Sequence, residues 1–470
     1  MHLTEACDPE FERFFSQAGI TTVRVPAFDP RHPHSNKLAQ LNTGRLQEAD
    51  LVVLSDCDVA FCHDIPEILA DTEAVRAKPV DNSNLSPEQW KAIYAQAGFP
   101  PPELTAAATV DRQPIPPLYL NGGLYVLPQK IFESLRTVWP KWNRWMLDRS
   151  ALLEPFAVYA DQVSFALSLQ EIGCPVHPLS MTYNCPTHLP FPEGFRIEEP
   201  PKVLHYHSHL TSSGLLLPTT LEAVNRSIET VNNLIREERK KRFDNYVFWQ
   251  FRYAFAPDAG SGEGSRGDNL LVKRNLLRTE IKRLCPQSIL DVGCGDLQIV
   301  GPMVVIDNYT GVDISASAIE RARQIRPEWS FLVGDVTTLE IEPRDLVLCL
   351  DVVIHQPTAD LYERFCRRLL ELSRHHLIVA GYNQPPWFTS EITFYYEPLS
   401  ETLKRLGSEG FLQIIGGYRD TTVLLWTRPG APEPLSYAQA TAPPPPPPSP
   451  LWRRALRRVR RILGGPARRQ

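Results

Sequence analysis

Two aspartates one residue apart, Asp56 and Asp58, follow directly on the apolar run 51–54 in LVVLSDCDVAF. Two close carboxylates at the end of a buried strand repel one another unless something positive compensates them. Magnesium or manganese meets that need through oxygen ligands and also bridges phosphate groups. Three further clusters suit the same site. YLNGGLYVL sets Asn121, Gly122 and Gly123 ahead of an apolar strand, where small residues let a sugar lie against backbone. YADQVSFALSL starts a helix with Asp161 and Gln162, polar groups to aim at hydroxyls. VLHYHSHL carries His205, His207 and His209 at alternate positions, which an extended segment turns to one side. Imidazole there can complete a manganese shell.

A second series of acids comes later. In LDVGCGD, Gly293 and Gly295 end an apolar strand; they permit a tight turn and a close approach of ligand to backbone. Asp313 ends the next strand, where a carboxylate can accept both hydroxyls of a ribose. Asp335, after FLVG, can receive the exocyclic amine of an adenine, and Asp351 ends a fourth strand. Ligands of open α/β sheets bind at the carboxyl ends of the strands, where all of these fall. His355 in DVVIHQ is a candidate base for a hydroxyl proton, or a structural histidine packed over the ligand; the residues leave both open.

These groups need α/β scaffolding. Near-continuous apolar strands alternating with helices predict a doubly wound parallel sheet in the later region, with TTVLLWT as a late strand at one end. The acids after LVVL predict a second Rossmann-like domain before it. With 470 residues the chain exceeds one hydrophobic core. The expected divisions are a first domain over 1–235 and a helical, Gly/Ser-containing linker over 236–267. A second domain covers 268–430, a proline-rich linker 431–450 and a basic amphipathic helix 451–470. Within the first linker, AGSGEGSRG is either a lid or a plain connection. The proline-rich insertion from PEQWKAIY to QPIPP is either a surface excursion or an acceptor-facing flap.

Hydrophobic residues make up 43% and charged residues 22%, ordinary for a globular protein. Nine cysteines, odd in number and irregularly spaced, argue for a reducing, cytoplasmic setting over a disulfide framework. No signal-peptide pattern and no spanning apolar run is visible. The net charge of −5 is unevenly placed: residues 451–470 hold eight of the 49 Lys and Arg and none of the acids. The acidic remainder gives no support for nucleic-acid binding. On a helical wheel, Leu451, Trp452, Ala455, Leu456, Val459, Ile462 and Leu463 gather within roughly 140°, opposite the arginines. That segregation predicts peripheral attachment to an anionic membrane surface.

In their order, SDCD, NGG, ADQ and HYH over roughly 35–215 resemble GT-A-type glycosyltransferases, most closely the glycogenin and bacterial lipopolysaccharide galactosyl- and glucosyltransferase group. The resemblance implies a nucleotide-sugar donor held through Mn2+ or Mg2+ by Asp56, Asp58 and one of His205 or His207. It implies Lys37, in SNKLAQLN, beside the nucleotide, with Asn121, Gly122, Asp161 and Gln162 around donor sugar and acceptor. That family opens with a strand and turn holding the nucleoside base. Here TTVRVPAF is expected as the second strand, so that either the start is cut short or the nucleotide is held differently.

LDVGCGD, GVDIS, GDV and DVVIHQ come in the order seen in class I S-adenosylmethionine-dependent methyltransferases, over about 160 residues. The resemblance implies cofactor binding by Asp291, Gly293, Gly295, Asp313, Asp335 and Asp351. Gln298 stands where a nicotinamide-type motif has its third glycine, which argues against a dehydrogenase. Together the two resemblances imply a bifunctional enzyme that transfers a sugar and methylates a glycan or glycolipid at the inner membrane face. A methyltransferase whose first domain only binds glycan, or a non-catalytic membrane-tethered binding protein, are the alternatives.

Overall fold

The computed structural model describes residues 1–441 apart from 5, 6, 48, 71, 198, 304, 305 and 389. The proline run and the basic helix expected at 451–470 lie outside the described residues.

The chain opens with a small parallel unit, β1 (His2–Leu3), α1 (Pro9–Gln17) and β2 (Val23–Arg24). TTVRVPAF thus supplies a second strand, and a two-residue first strand precedes it. Then come β3 (Leu51–Ser55), β4 (Val59–Phe61), α2 (Pro66–Leu69), β5 (Val75–Pro79) and α3 (Pro87–Ala97). A short hairpin, β6 (Ala106–Ala107) and β7 (Pro114–Ile115), leads to β8 (Leu120–Pro128), α4 (Gln129–Leu147), α5 (Ala160–Ile172) and β9 (Val176–Pro178). The main sheet has the order β3-β8-β5-β9, with β8 antiparallel to both neighbours and β9 parallel to β5. Strand β8 is buried at every position because its alternating side chains enter two cores. Tyr125 and Leu127 meet Phe132, Trp139 and Phe165, while Leu124 and Val126 meet Ile68, Leu179 and Val203.

Two expectations change here. Asn121, Gly122 and Gly123 lie inside β8, not ahead of it, since β3 pairs along the strand and β5 reaches Leu120. The proline-rich insertion is neither excursion nor flap in its first part. Ser86 and Gln89 form a capping box, Pro87 takes the first turn and Gly98 ends α3 at φ +81°. Trp90, Ile93 and Tyr94 then bury against Ile115, Tyr119, Trp142 and Leu167 as a core of their own.

A small second sheet, β10 (Cys185–Pro186), β11 (Val203–His205) and β4, is covered by α6 (Glu222–Lys241) through Val224, Ile228 and Val231. Residue 235 therefore falls inside α6. The helical part of the linker expected from 236 is not continuous, since α6 ends at Lys241. Asp244 caps a separate helix, α7 (Asn245–Phe255), by accepting from Val247 N at 2.9 Å.

After α8 (Gly267–Leu284), the second half alternates β12 (Ile289–Val292), β13 (Tyr309–Asp313), α9 (Ala316–Ile325), β14 (Ser330–Val333) and β15 (Arg344–Leu350). It continues with α10 (Ala359–Leu372), β16 (Ser373–Tyr382), α11 (Leu399–Leu406), β17 (Phe411–Tyr418), β18 (Thr421–Thr427) and α12 (Tyr437–Thr441). The sheet order is β14-β13-β12-β15-β16-β18-β17, parallel until β18 enters antiparallel. TTVLLWT is β18, one strand in from the edge that β17 forms. The start of the expected linker at 431 docks on α8: Tyr437 OH donates to Glu280 at 2.9 Å and Arg283 lies over the Tyr437 ring. Among the described residues no helix is long and apolar enough to cross a membrane.

Candidate functional sites

Strand β3 ends at Ser55, and the turn that follows sends its two acids to different partners. The β4–β11 register sets Val59 opposite His205, which carries His205 to Asp58. Asp58 lies 3.3 Å from His205 Nε2 and 3.3 Å from His207 Nδ1, and the two rings stack with centroids 4.0 Å apart. One ligand atom from each of Asp58, His205 and His207 falls within 4.8 Å of the others. His207 reaches this point through a left-handed backbone, φ +46°, and not by strand alternation. His209 does not join the cluster.

Burial works against the charge on Asp58, but a hydrogen bond from His205 and the charges of His205 and His207 hold it down at about 2. Burial, together with His205 and His188, pushes His207 down to about 4. Near neutral pH the set is therefore an ionised carboxylate with a neutral His207, the forms that ligate metal. Nδ1 of His205 is buried without a hydrogen-bond partner. A divalent cation fits this donor set, held by Asp58, His205 and His207. Gly123 makes room for the His205 ring: a Cβ there would stand 2.6 Å from it.

Asp56 turns the other way. Lys37 Nζ lies 3.0 Å from Asp56, 3.1 Å from Asp161 and 3.4 Å from the Gly122 carbonyl. Burial disfavours the ammonium, but Asp161 and Asp56 outweigh it and raise its pKa above the ordinary lysine value. The lysine expected beside a nucleotide is thus committed to two carboxylates, of which Asp161 is almost fully buried and Gln162 beside it half-buried.

Asn121 serves as framework: it donates to Asp81 at 2.8 Å and accepts from Gly123 N and Asn184 Nδ2, each at 2.9 Å. Asp81 also takes Thr109 and the buried Lys78. Sequence reading missed Lys78, Asp81, Asn184 and His188, whose ring centroid lies 3.9 Å from that of His207. Only Asp81, an acid just past a strand, carried a usable signal.

In the second half a cavity of about 350 Å³ opens at the carboxyl ends of β12 to β15, where strand order reverses. Asp291, Gly293, Asp313, Asp335, Asp351 and His355 all line it. Asp313 accepts from Gly295 N and Ser315 N, each at 2.9 Å, yet burial pushes its carboxyl up to about 6. Burial also raises Asp291 to about 7, although Tyr309 OH donates to it at 2.7 Å. Asp335 is exposed, with Oδ1 accepting from Thr337. Asp351 gives both oxygens to protein partners, Lys273 at 2.5 Å and Tyr418 OH at 2.6 Å. Gly293 and Gly295 adopt φ +74° and +54°, and a Cβ on them would strike Val352 and Tyr253.

His355 Nδ1 lies 2.6 Å from the Ile392 carbonyl. A carbonyl only accepts, so Nδ1 carries the proton and Nε2 keeps a lone pair. Burial lowers its pKa, which keeps the ring neutral.

Helix α7 is the element the sequence did not assign to this site. Trp249 and Tyr253 line the cavity, and Gln250 bonds Ser315 and Ser317 beyond β13. Ser261, from the Gly/Ser segment, bonds Tyr253 OH at 2.8 Å and Asp296 at 3.2 Å, so this segment lies on the glycine loop.

Residues 3–173 match the family model of a Rhodobacterales glycosyltransferase domain, and residues 289–375 that of a methyltransferase domain. A comparison with curated proteins finds no match. Among solved structures, the chain is similar to the N-methyltransferase NodS from Bradyrhizobium japonicum at 14% identity. That match covers 34% of this chain and 95% of the other, with a TM-score of 0.29. Magnesium protoporphyrin IX methyltransferase from Synechocystis with bound SAM is similar at 17% identity, over 42% and 91% of the two chains, with a TM-score of 0.27. One chain thus joins a glycosyltransferase-like domain to a methyltransferase domain.

Proposed function

We propose that the chain is a dual transferase that moves a sugar from a nucleotide-sugar to a glycan or glycolipid and methylates that product or a neighbouring hydroxyl with S-adenosylmethionine. The observation that carries this reading is the pair of separate strand-end sites, one with a donor set that could hold a metal and one an acid-lined cavity.

In the first site Asp58, His205 and His207 hold a divalent cation, Mn2+ or Mg2+. Such a cation supplies charge neutralisation for a departing diphosphate. Gly122 and Gly123 let Lys37 and the His205 ring close on the β8 backbone, and the Lys37 bridge fixes Asp56 and Asp161. Gln162 is left to meet acceptor hydroxyls.

In the second site S-adenosylmethionine supplies a methyl group on a positively charged sulfur. Asp313 positions the ribose, Asp335 the adenine, and the Gly293–Gly295 loop leaves space for the methionine part. With the cofactor bound, His355 Nε2 would take the hydroxyl proton as the O–CH3 bond forms and the S–CH3 bond breaks, leaving S-adenosylhomocysteine.

The cysteine pattern supports a cytoplasmic location, and the segregated arginines of 451–470 support tethering to an anionic membrane face. Ending the chain at Pro450 is expected to abolish pelleting with anionic liposomes while leaving turnover of a soluble acceptor. Persistent pelleting removes the tail as the anchor.

The commitment of Lys37 to Asp56 and Asp161 favours a second reading, in which the first half binds glycan without transferring sugar. Incubation with labelled S-adenosylmethionine, a panel of nucleotide-sugars and glycolipid acceptors, followed by mass spectrometry, separates the two. The dual reading expects both additions, with sugar transfer alone lost in chelator. Methyl transfer with no turnover of any nucleotide-sugar leaves only the second reading.

A further inference from the structure

The wall of the methyl-transfer cavity is not built from the second half alone. Arg13, on α1 and inside the stretch that matches the glycosyltransferase model, lines the cavity too. Helix α1 reaches it by docking on α7. Tyr246 OH donates to Asp8, the Phe11 and Tyr246 rings meet edge-on at 6.0 Å, and Arg13 lies 3.9 Å from Asp244.

The position of Arg13 along α7 decides which ligand it faces. Tyr253, near one end of α7, abuts Gly295 of the glycine loop, where the cofactor belongs. Asn245, near the other end, donates from Nδ2 to the His355 carbonyl at 2.8 Å. Eight residues of helix separate them, about 12 Å along the axis. Arg13 and Asp244 stand at the His355 end, so they face the molecule that gives up the proton and receives the methyl group.

The chemistry gathered there is planar and of both polarities. Arg13 offers only donors, while Asp244, which caps α7 through Oδ1, offers an acceptor. Asn245, with Nδ2 engaged, keeps Oδ1 without a hydrogen-bond partner among the described residues. Tyr246 and Trp249 supply aromatic faces from the same helix. Vicinal hydroxyls of a sugar ring both donate and accept, and the C–H face of the ring suits an aromatic surface. The cavity lining holds Asp244, Asp291, Asp313, Asp335 and Asp351 against Arg13 as its one arginine among the described residues, which disfavours a free anion. Arg13 is also paired with Glu10 at 2.5 Å. Both side chains are about half exposed, and such a pair is weak enough for substrate to displace.

We propose that α1 and the start of α7 together form the acceptor subsite of the methyl-transfer reaction, with Arg13, Asp244 and Asn245 reading the hydroxyls of a neutral pyranose. This rests on the reading that the methyl acceptor is a glycan, and adds which residues hold it and that the first half contributes one. The test uses the full chain, labelled S-adenosylmethionine and a panel of methyl pyranosides. Arg13→Ala is expected to raise the acceptor KM by about 10–100-fold, the scale of a charged hydrogen bond. Its kcat and its affinity for S-adenosylhomocysteine by calorimetry stay at the wild-type values, and Arg13→Lys falls between. An unchanged KM in Arg13→Ala, or a parallel loss of S-adenosylhomocysteine binding, overturns the subsite while leaving the glycan reading in place. If the wild-type chain binds S-adenosylhomocysteine but methylates no pyranoside, the glycan reading itself fails and takes the subsite with it.

Discussion

The two halves differ in how they treat strand-end aspartates, although the second, like the first, pairs one of them with a lysine, Asp351 with Lys273. In the first, every buried or half-buried acid near the site has a positive or ionisable partner: Asp56 and Asp161 share Lys37, Asp81 has Lys78, and Asp58 has two histidines. In the second, Asp291 and Asp313 are buried against a hydroxyl and backbone amides only, and their carboxyls rise to about 7 and 6, while Asp58 is held near 2. Asp56, Asp161 and Asp81, with lysines built in, are neutralised before any ligand arrives, whereas Asp58, ionised beside a neutral His207, is left to a cation. An acid buried without a counter-charge gains most from a ligand that brings positive charge. The contrast suits a metal-accompanied diphosphate in the first site and a sulfonium in the second.

The sharpest way to break that contrast is Asp58→Ala. Sugar transfer should fall by roughly 10²–10³-fold, the scale of losing one transition-state electrostatic contact. Methyl transfer should not move, and a matching loss there would mean the sites are not independent. Gly123→Ala is the gentler probe of the same site, because its methyl displaces the His205 ring. We expect about tenfold less sugar transfer, in keeping with an overpacking cost of about 1–3 kcal/mol. A wild-type melting curve together with wild-type sugar transfer would show that His205 needs no such room.

Asp291→Asn should have the smallest effect and addresses the second half. Burial raises the folded carboxyl to about 7 while the unfolded one keeps the ordinary 3.8, so well below pH 4 it is protonated in both states. As pH rises from about 4 to 7 the unfolded chain ionises first and stability falls; above 7 the full penalty is present. The variant escapes it, so its melting temperature should exceed that of wild type at pH 8 and converge with it at pH 4. Equal melting temperatures at pH 8 would mean that the Tyr309 hydrogen bond already compensates the buried charge.

How much of this could be read from residues alone depended on whether partners were close in sequence. LDVGCGD, with its positive-φ glycines and the acid before them, is a local motif, and its strand, loop and cavity are where the pattern places them. The Ser315 cap of α9 was equally legible. SDCD was legible as a strand end, but not the divergence of Asp56 from Asp58, which depends on Lys37 and on the pairing of β4 with β11. NGG was placed ahead of its strand, with its small residues facing a sugar; here, inside β8, their lack of side chains admits Lys37 and His205 to the backbone. PEQWKAIY looked peripheral because of its prolines, although Trp90, Ile93 and Tyr94 at helical spacing already announced a buried face. Helix α7 was hidden by the charged run before it.

The docking of α1 on α7 also has a consequence in time. Asp8 and Tyr246 are 238 residues apart, so during synthesis at about 5–20 residues per second α1 waits about 10–50 s for its partner to be made. A helix with a greasy face would spend that interval as an aggregation hazard. Helix α1 carries Phe11, Phe14 and Phe15, none fully buried even in the finished fold, so its aromatic face is turned to water until α7 is made.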